Sequence, residues 1–154
     1  KNTGKIIAWD LYESRLNLVN QNANRLGINT IKTEPRDSSI FYEEYIDTFD
    51  KILLDVPCLG IGVIKRKPDI KWQRKLEDIN EIVQIQKNIL ENCSKYLKKG
   101  GELVYSTCSI LKDENENVIE DFLKRNNAFE KIEEVKIKTN KEADGFYICK
   151  IKKY

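Results

Sequence analysis

Histidine is missing altogether from the 154 residues, and this absence excludes more chemistry than any other feature of the composition. Ser-His-Asp and Cys-His pairs need an imidazole as their base, so most thiol proteases and hydrolases fall away. A reactive cysteine in this chain must be activated by some other group. Methionine is absent too, and a chain that starts at Lys1 without one reads as a processed piece or an expressed fragment. Cysteine is sparse. Cys58, Cys93, Cys108 and Cys149 stand far apart with no C-x-x-C pair, which removes zinc and thioredoxin-like readings and suits a reduced, cytoplasmic compartment. No apolar run is long enough to span a bilayer, and no signal-peptide pattern is present. A dominant charge is also lacking. Lys and Arg total 27 against 25 for Asp and Glu, so nucleic-acid binding must come from a local patch rather than a global field.

What remains describes one domain of mixed surface charge, with 40% hydrophobic residues to build a core and 34% charged residues to keep it soluble. Its most informative stretch runs from Lys51 to Trp72. Ile52, Leu53 and Leu54 follow one another without alternation, the pattern of a strand buried on both faces of a parallel sheet. The apolar run stops at Asp55, and Pro57 forbids further ladder pairing. A carboxylate and the thiol of Cys58 therefore sit just past the carboxyl end of a strand, the edge at which open α/β sheets bind ligands. Gly60 and Gly62 follow, then the basic run Lys65-Arg66-Lys67, Lys71 and Trp72, a composition suited to phosphates and a stacked base.

The rest of the chain alternates strand and helix. Lys5–Trp9 reads as a buried strand ending at Asp10. Leu16, Val19, Ala23 and Leu26 share one helical face, with Gly27 as the stop. Thr30–Thr33 is a short strand before a polar turn with Pro35 and Asp37, and Phe41–Ile46 a brief helix. Ile79, Ile82, Val83, Gln86, Ile89, Leu90, Cys93 and Leu97 trace a long amphipathic helix stopped by Gly100 and Gly101. Glu102–Tyr105 resumes as a strand and runs into Ser106-Thr107-Cys108-Ser109. Asp113 and Glu116 form a capping box for the helix of Val118, Ile119, Phe122 and Leu123. Strands near Phe129–Lys138 and Gly145–Ile151 close the chain. Such alternation predicts an α/β fold with helices on both faces of a parallel sheet.

Asp10, Asp37 and Asp55 each follow, or nearly follow, a strand. An acid after the second strand of a nucleotide-binding α/β fold holds ribose hydroxyls, whereas Asp10 alone would serve as a helix N-cap and Asp37 alone as a turn residue. Cys58 and Cys108 end strands that such a fold places side by side, so both thiols can face one pocket. Cys93 and Cys149 read as small apolar fillers.

Four blocks in order, Asp55-Val56-Pro57-Cys58, Val63 through Trp72, Tyr105-Ser106-Thr107-Cys108-Ser109 and Glu114-Asn115-Glu116, resemble the RNA 5-methylcytosine methyltransferases, in the branch acting on small-subunit ribosomal RNA. The similarity extends to Asp144-Gly145-Phe146-Tyr147. It implies a Rossmann-like class I methyltransferase sheet and S-adenosyl-L-methionine as cofactor. It makes Cys108 the nucleophile, Cys58 the thiol that assists product release, and Asp55 the residue between target base and cofactor. Asp10 falls to the ribose of the cofactor and Asp37 to its adenine. The family's first strand and glycine-rich cofactor loop lie ahead of the segment that begins here at Asn2, so the chain is expected to be the C-terminal portion of the catalytic domain (1–154). The strands at Ile6 and Ile52 are then expected to lack a shared neighbour.

The implied chemistry accounts for these residue types. C5 of cytosine is a poor nucleophile until a thiolate adds at C6, which turns one hard step into two easier ones. A carboxyl group at N3 stabilises the charge that moves through the ring. With no histidine, the thiolate needs backbone N–H groups, nearby Lys or Arg, or the cofactor's positive charge. The base must also be splayed out of its stack, and Lys65, Arg66, Lys67 and Lys71 either hold the RNA backbone meanwhile or are solvated charges. An RNA-binding half-domain without turnover, and transfer RNA as the substrate, stand as the rival readings.

Overall fold

Residues 2–73, 75 and 77–154 are described by the structure, a computed structural model, and they fall into two units, Lys1–Ile40 and Phe41–Tyr154. In the first, Ile6–Asp10 (β1) pairs in parallel with Ile31–Pro35 (β2), Ile6 opposite Ile31 and Asp10 opposite Pro35. The helix Glu13–Arg25 (α1) joins them and buries Leu16 and Ala23. Its end is a Schellman turn: Gly27 takes φ +65°, Ile28 N–H donates to Ala23 O (2.8 Å) and Gly27 N–H to Asn24 O (3.1 Å). This reversal leaves Leu26, expected on the apolar face, 60% exposed. Pro35 ends β2 instead of lying in a turn, as a terminal strand position tolerates the missing N–H.

The second unit holds Phe49–Asp55 (β3), the short helix Ile70–Gln73 (α2), the long helix Glu77–Lys95 (α3), Leu97–Thr107 (β4), Glu116–Arg125 (α4), Phe129–Ile137 (β5) and Phe146–Lys153 (β6). Its sheet runs β3-β4-β6-β5, with β3 and β4 parallel and β6 antiparallel to both of its neighbours. The register puts Leu54, Tyr105 and Cys149 in one row, with Leu103 and Ile151 beside them on the same face. All five are buried, as are Leu90 and Cys93 of α3 and Val118, Ile119 and Phe122 of α4, which cover that face. Burial pushes the Cys93 thiol up to about 12 and the Cys149 thiol up to about 11, as befits apolar fillers.

Several sequence expectations need correction here. The sheet is mixed rather than parallel, because β6 runs antiparallel to β4 and β5, and the first strand is not buried, Ile6 being 52% exposed. Leu53 is 71% exposed, so β3 is not buried on both faces; the helices of its unit cover only the Leu54 side. The expected long helix stops at Lys95, and Leu97 already belongs to β4. Gly100 and Gly101 are therefore no helix stop. Gly100 (φ +82°) and a bulge opposite Asp50 let β4 shift register, and a Cβ on Gly101 would stand 2.9 Å from Asp50 O. As expected, the strands at Ile6 and Ile52 share no neighbour: among the described residues β1 pairs only with β2 and β3 only with β4. No helix among them is long and apolar enough to cross a membrane.

Candidate active site

The parallel pairing of β3 with β4 brings their carboxyl ends together, Asp55 opposite Ser106, and Val56 N–H continues the tie to Ser106 O at 3.2 Å. Beyond that point the chains part into two loops, one carrying Cys58 and the other Cys108. The two sulfurs lie 3.0 Å apart, both half-buried and both free of disulfides. At that separation one proton serves both. Either sulfur can donate across that contact; with the S–H on Cys58, the bond draws Cys108 down to about 7 against the opposing effects of burial and the Asp55 charge. The same bond, followed by burial, pushes Cys58 up. The second thiol is thus a lowering influence on Cys108 that the sequence expectations did not include.

Beneath the thiols lies a buried polar network. Glu114, 0% exposed, accepts Leu59 N–H (2.8 Å) and Gln86 Nε2 (3.1 Å) at Oε2 and Ser109 Oγ–H (2.5 Å) at Oε1. Gln86 also donates to Pro57 O at 2.9 Å. The neighbouring Asn115 accepts Thr107 Oγ1–H (2.5 Å) and donates to Ser109 O (2.9 Å). Among the described residues no capping box forms: α4 starts after Asn115, whose side chain is spent on the thiol loop, and Asp113 accepts from Asn117 at 3.2 Å. The sequence reading gave Gln86 and Glu114 no role. The available signal was a glutamine in the middle of an apolar helical face, which is rarely buried without a partner.

A backbone crossing fixes the mouth of the loops. Gly62 N–H donates to Cys108 O (3.0 Å) and Gly145 N–H to Gly62 O (2.8 Å). A Cβ on Gly62 would collide with the Gly145 carbonyl and stand 2.8 Å from Cys108 O. Both obstacles are backbone, so neither yields cheaply. Gly62→Ala is expected to destabilise by about 1–3 kcal/mol, the range for overpacking, measured by urea unfolding; a loss within about 0.5 kcal/mol, typical of an unconstrained surface site, would show that the crossing is slack.

The remaining candidates are distributed between the units. Asp55 is exposed beside the thiol loops, with Ser106 Oγ–H donating to it at 3.4 Å. Asp10 and Asp37 lie in the Lys1–Ile40 unit. Asp10 does not cap α1, whose N-cap is Tyr12; its Oδ1 accepts Tyr12 N–H (2.8 Å) in a local turn while Arg15 reaches its Oδ2 at 3.5 Å. Asp37 accepts Ser39 N–H (2.8 Å) and Oγ–H (2.6 Å). The basic run divides. Lys65 donates to Lys141 O (2.7 Å) and Arg66 pairs with Asp144, so both brace the loop between β5 and β6. Lys67 and Lys71 are exposed, and Lys71 lies 5.7 Å from the ring of Trp72, itself 83% exposed.

A sheet with reactive side chains at its carboxyl edge is here the Rossmann-like sheet of class I methyltransferases. The chain matches a methyltransferase homologue protein from Pyrococcus horikoshii with a TM-score of 0.84 at 32% identity, over 99% of this chain and 54% of that one. It matches NSun6 from the same organism, solved with SFG, equally well at 0.84 and 29% identity, over 99% and 42%. The family model described as 16S rRNA methyltransferase RsmB/F covers residues 1–152, and the chain belongs to that family. Ribosomal RNA small subunit methyltransferase B of Photorhabdus laumondii is 48% identical over 122 residues, 79% of this chain and 28% of the relative. Its Shigella sonnei counterpart is 43% identical over 157 aligned residues, 96% and 36%. The chain thus spans about a third of the length of these curated relatives.

Proposed function

We propose that this chain carries the thiol chemistry of methyl transfer from S-adenosyl-L-methionine to C5 of a cytosine in small-subunit ribosomal RNA. The observation that carries this reading is the pair of sulfurs 3.0 Å apart at adjacent strand ends, beside the Asp55 carboxylate. One thiolate of the pair is available near neutral pH, on Cys108. It adds to C6 and forms the C6–S bond, leaving C5 electron-rich. Asp55 meets the base at N3 with a proton held between the two, and that proton steadies the negative charge that builds in the ring. After transfer H5 passes as a proton to solvent water, its electron pair reforms the C5–C6 double bond and the C6–S bond breaks with its pair going to the Cys108 sulfur. Cys58 acts at this last step: its S–H stabilises the departing Cys108 thiolate, and a thiol of lower pKa leaves faster.

The cofactor's functional groups suit the acids at the strand ends. Asp10 ends β1 and Asp37 follows β2, and both offer carboxylate oxygens, acceptors only, for ribose hydroxyls and an adenine amine. When bound, S-adenosylmethionine supplies the methyl group as an electrophile. Lys67 and Lys71 are exposed cations of the basic run, with Trp72 available to stack an extruded base. Lys65 and Arg66 act on RNA indirectly by bracing the loop they hold.

The test supplies methyl-labelled S-adenosylmethionine and unmodified small-subunit ribosomal RNA to the full-length protein and digests the product to nucleosides. Label in 5-methylcytidine is expected. Label on an exocyclic nitrogen or a ribose oxygen would sink the thiol mechanism, label taken up only by transfer RNA would move the substrate, and RNA binding without label would leave a binding module.

A further inference from the structure

The chemistry proposed above makes no use of Glu114, although a buried carboxylate is costly unless its oxygens are satisfied. The three groups that satisfy it are not scattered. Leu59 is the residue directly after Cys58, and Ser109 is the residue directly after Cys108. A single side chain thus grips the backbone next to one thiol and the hydroxyl next to the other. Gln86 completes the hold by donating to Pro57 O, directly before Cys58, as well as to Glu114. Tyr105 anchors the clamp to β4 by donating its hydroxyl to Glu114 O at 2.7 Å. A carboxylate accepts and never donates, so it suits three inward-facing donors as no amide or hydroxyl side chain would. In a dry, low-dielectric site such bonds are stiff.

We infer that Glu114 is the positioning residue of the thiol pair: its carboxylate clamps the residues following Cys58 and Cys108 and holds the two sulfurs within bonding distance. This role rests on the reading of Cys58 and Cys108 as the reactive pair. It does not make Glu114 a catalytic residue, because Glu114 touches neither sulfur. It acts through the spacing of the two thiols, and the spacing sets whether Cys58 can stabilise a Cys108 thiolate.

Glu114→Gln keeps size and shape but turns a donor toward donors, so at least one loop is released. Two measurements on the chain without RNA or cofactor report the spacing. The first is the pH profile of Cys108 alkylation by iodoacetamide, followed on the Cys108 peptide. Its midpoint near 7 is expected to rise by about one pH unit or more once the Cys58 bond is lost, about fivefold or more in thiolate at neutral pH. The second is the equilibrium with glutathione disulfide, in which two thiols give the Cys58–Cys108 disulfide and two molecules of glutathione. Its constant is expected to fall roughly tenfold or more, the scale of one lost hydrogen bond to a charged group. Ser109→Ala, which removes one grip and adds no donor, is expected to shift both in the same direction by less, and it stands as the test if Glu114→Gln does not fold. A lower melting temperature with an unchanged midpoint and exchange constant in the folded variants would reduce Glu114 to a stability residue and overturn the inference. So would wild-type chain that forms no Cys58–Cys108 disulfide. Failure of the methylation assay leaves these readouts intact, so the two readings fall separately.

Discussion

In the full-length protein incubated with RNA and cofactor, Cys58→Ala is expected to accumulate as a protein–RNA adduct that survives denaturation and migrates slowly on a gel. Cys108→Ala is expected to form none. The argument starts from the shared proton. Cys108 carries the available negative charge, so it makes the first bond, and its removal takes away the only group assigned to attack C6. Cys58 holds the proton and is pushed well above the usual thiol range by its bond to Cys108 and by burial; in Cys108→Ala that bond is gone, but burial still holds the thiol protonated and it is not placed to attack C6. Removing Cys58 slows attack, because the Cys108 thiolate loses its donor, but it also makes Cys108 a poorer leaving group. Release then becomes the slow step and the adduct persists. An adduct trapped by Cys108→Ala would reverse the assignment, and none in either variant would argue for a mechanism without a covalent bond.

Alkylation of Cys108 is expected to follow a titration centred near pH 7 in the wild-type chain and to lose that reactivity in Cys58→Ala. A group whose pKa is lowered keeps its charged form above that value and loses it as pH falls through it. Cys108 is thus about half thiolate at pH 7, where an ordinary cysteine holds only a few per cent. Without Cys58, the largest lowering influence disappears, while burial and the charges of Asp55 and Glu114 still raise the thiol. The midpoint should move above the ordinary value of about 8.5, and the rate at pH 7 should fall by about tenfold or more. Mass spectrometry of the Cys108 peptide across pH 5 to 10 measures both. An unchanged midpoint in Cys58→Ala would place the activating group elsewhere.

Much of this arrangement is legible in the chain. The unbroken run at Ile52 and the stop at Asp55-Val56-Pro57 marked a strand end, and the Thr107-Cys108 block marked another. A parallel α/β sheet aligns such ends, so the meeting of Cys58 and Cys108 followed from topology. The helical face of α3 was legible from Ile82 to Cys93, and Cys93 and Cys149 were correctly read as filler. Other features were not legible because they depend on neighbours distant in the chain. Leu53 has the same apolar character as Leu54, yet one is 71% exposed and the other buried, because only one face of that sheet is covered by the helices of its unit. Leu97 fits the helical period but lies in β4, since pairing with Phe49 outweighs one more turn of helix. The basic run looked uniform, and only the loop between β5 and β6 separates Lys65 and Arg66 from Lys67 and Lys71.

The amino-acid sequence by itself determined which chemistry was possible: no imidazole, two cysteines at strand ends, acids after strands, and motif blocks in the order of one methyltransferase family. Residue types and their local spacing carry that information, because strand ends and helix faces are set by nearest neighbours along the chain. Only the tertiary structure decided how the chemistry is switched on. The 3.0 Å approach of Cys58 to Cys108 and the grip of Glu114 on Leu59 join residues some fifty positions apart. Whether a thiol at such a place is inert or half ionised depends on distance and burial, and those are fixed only when the two loops are packed over α3.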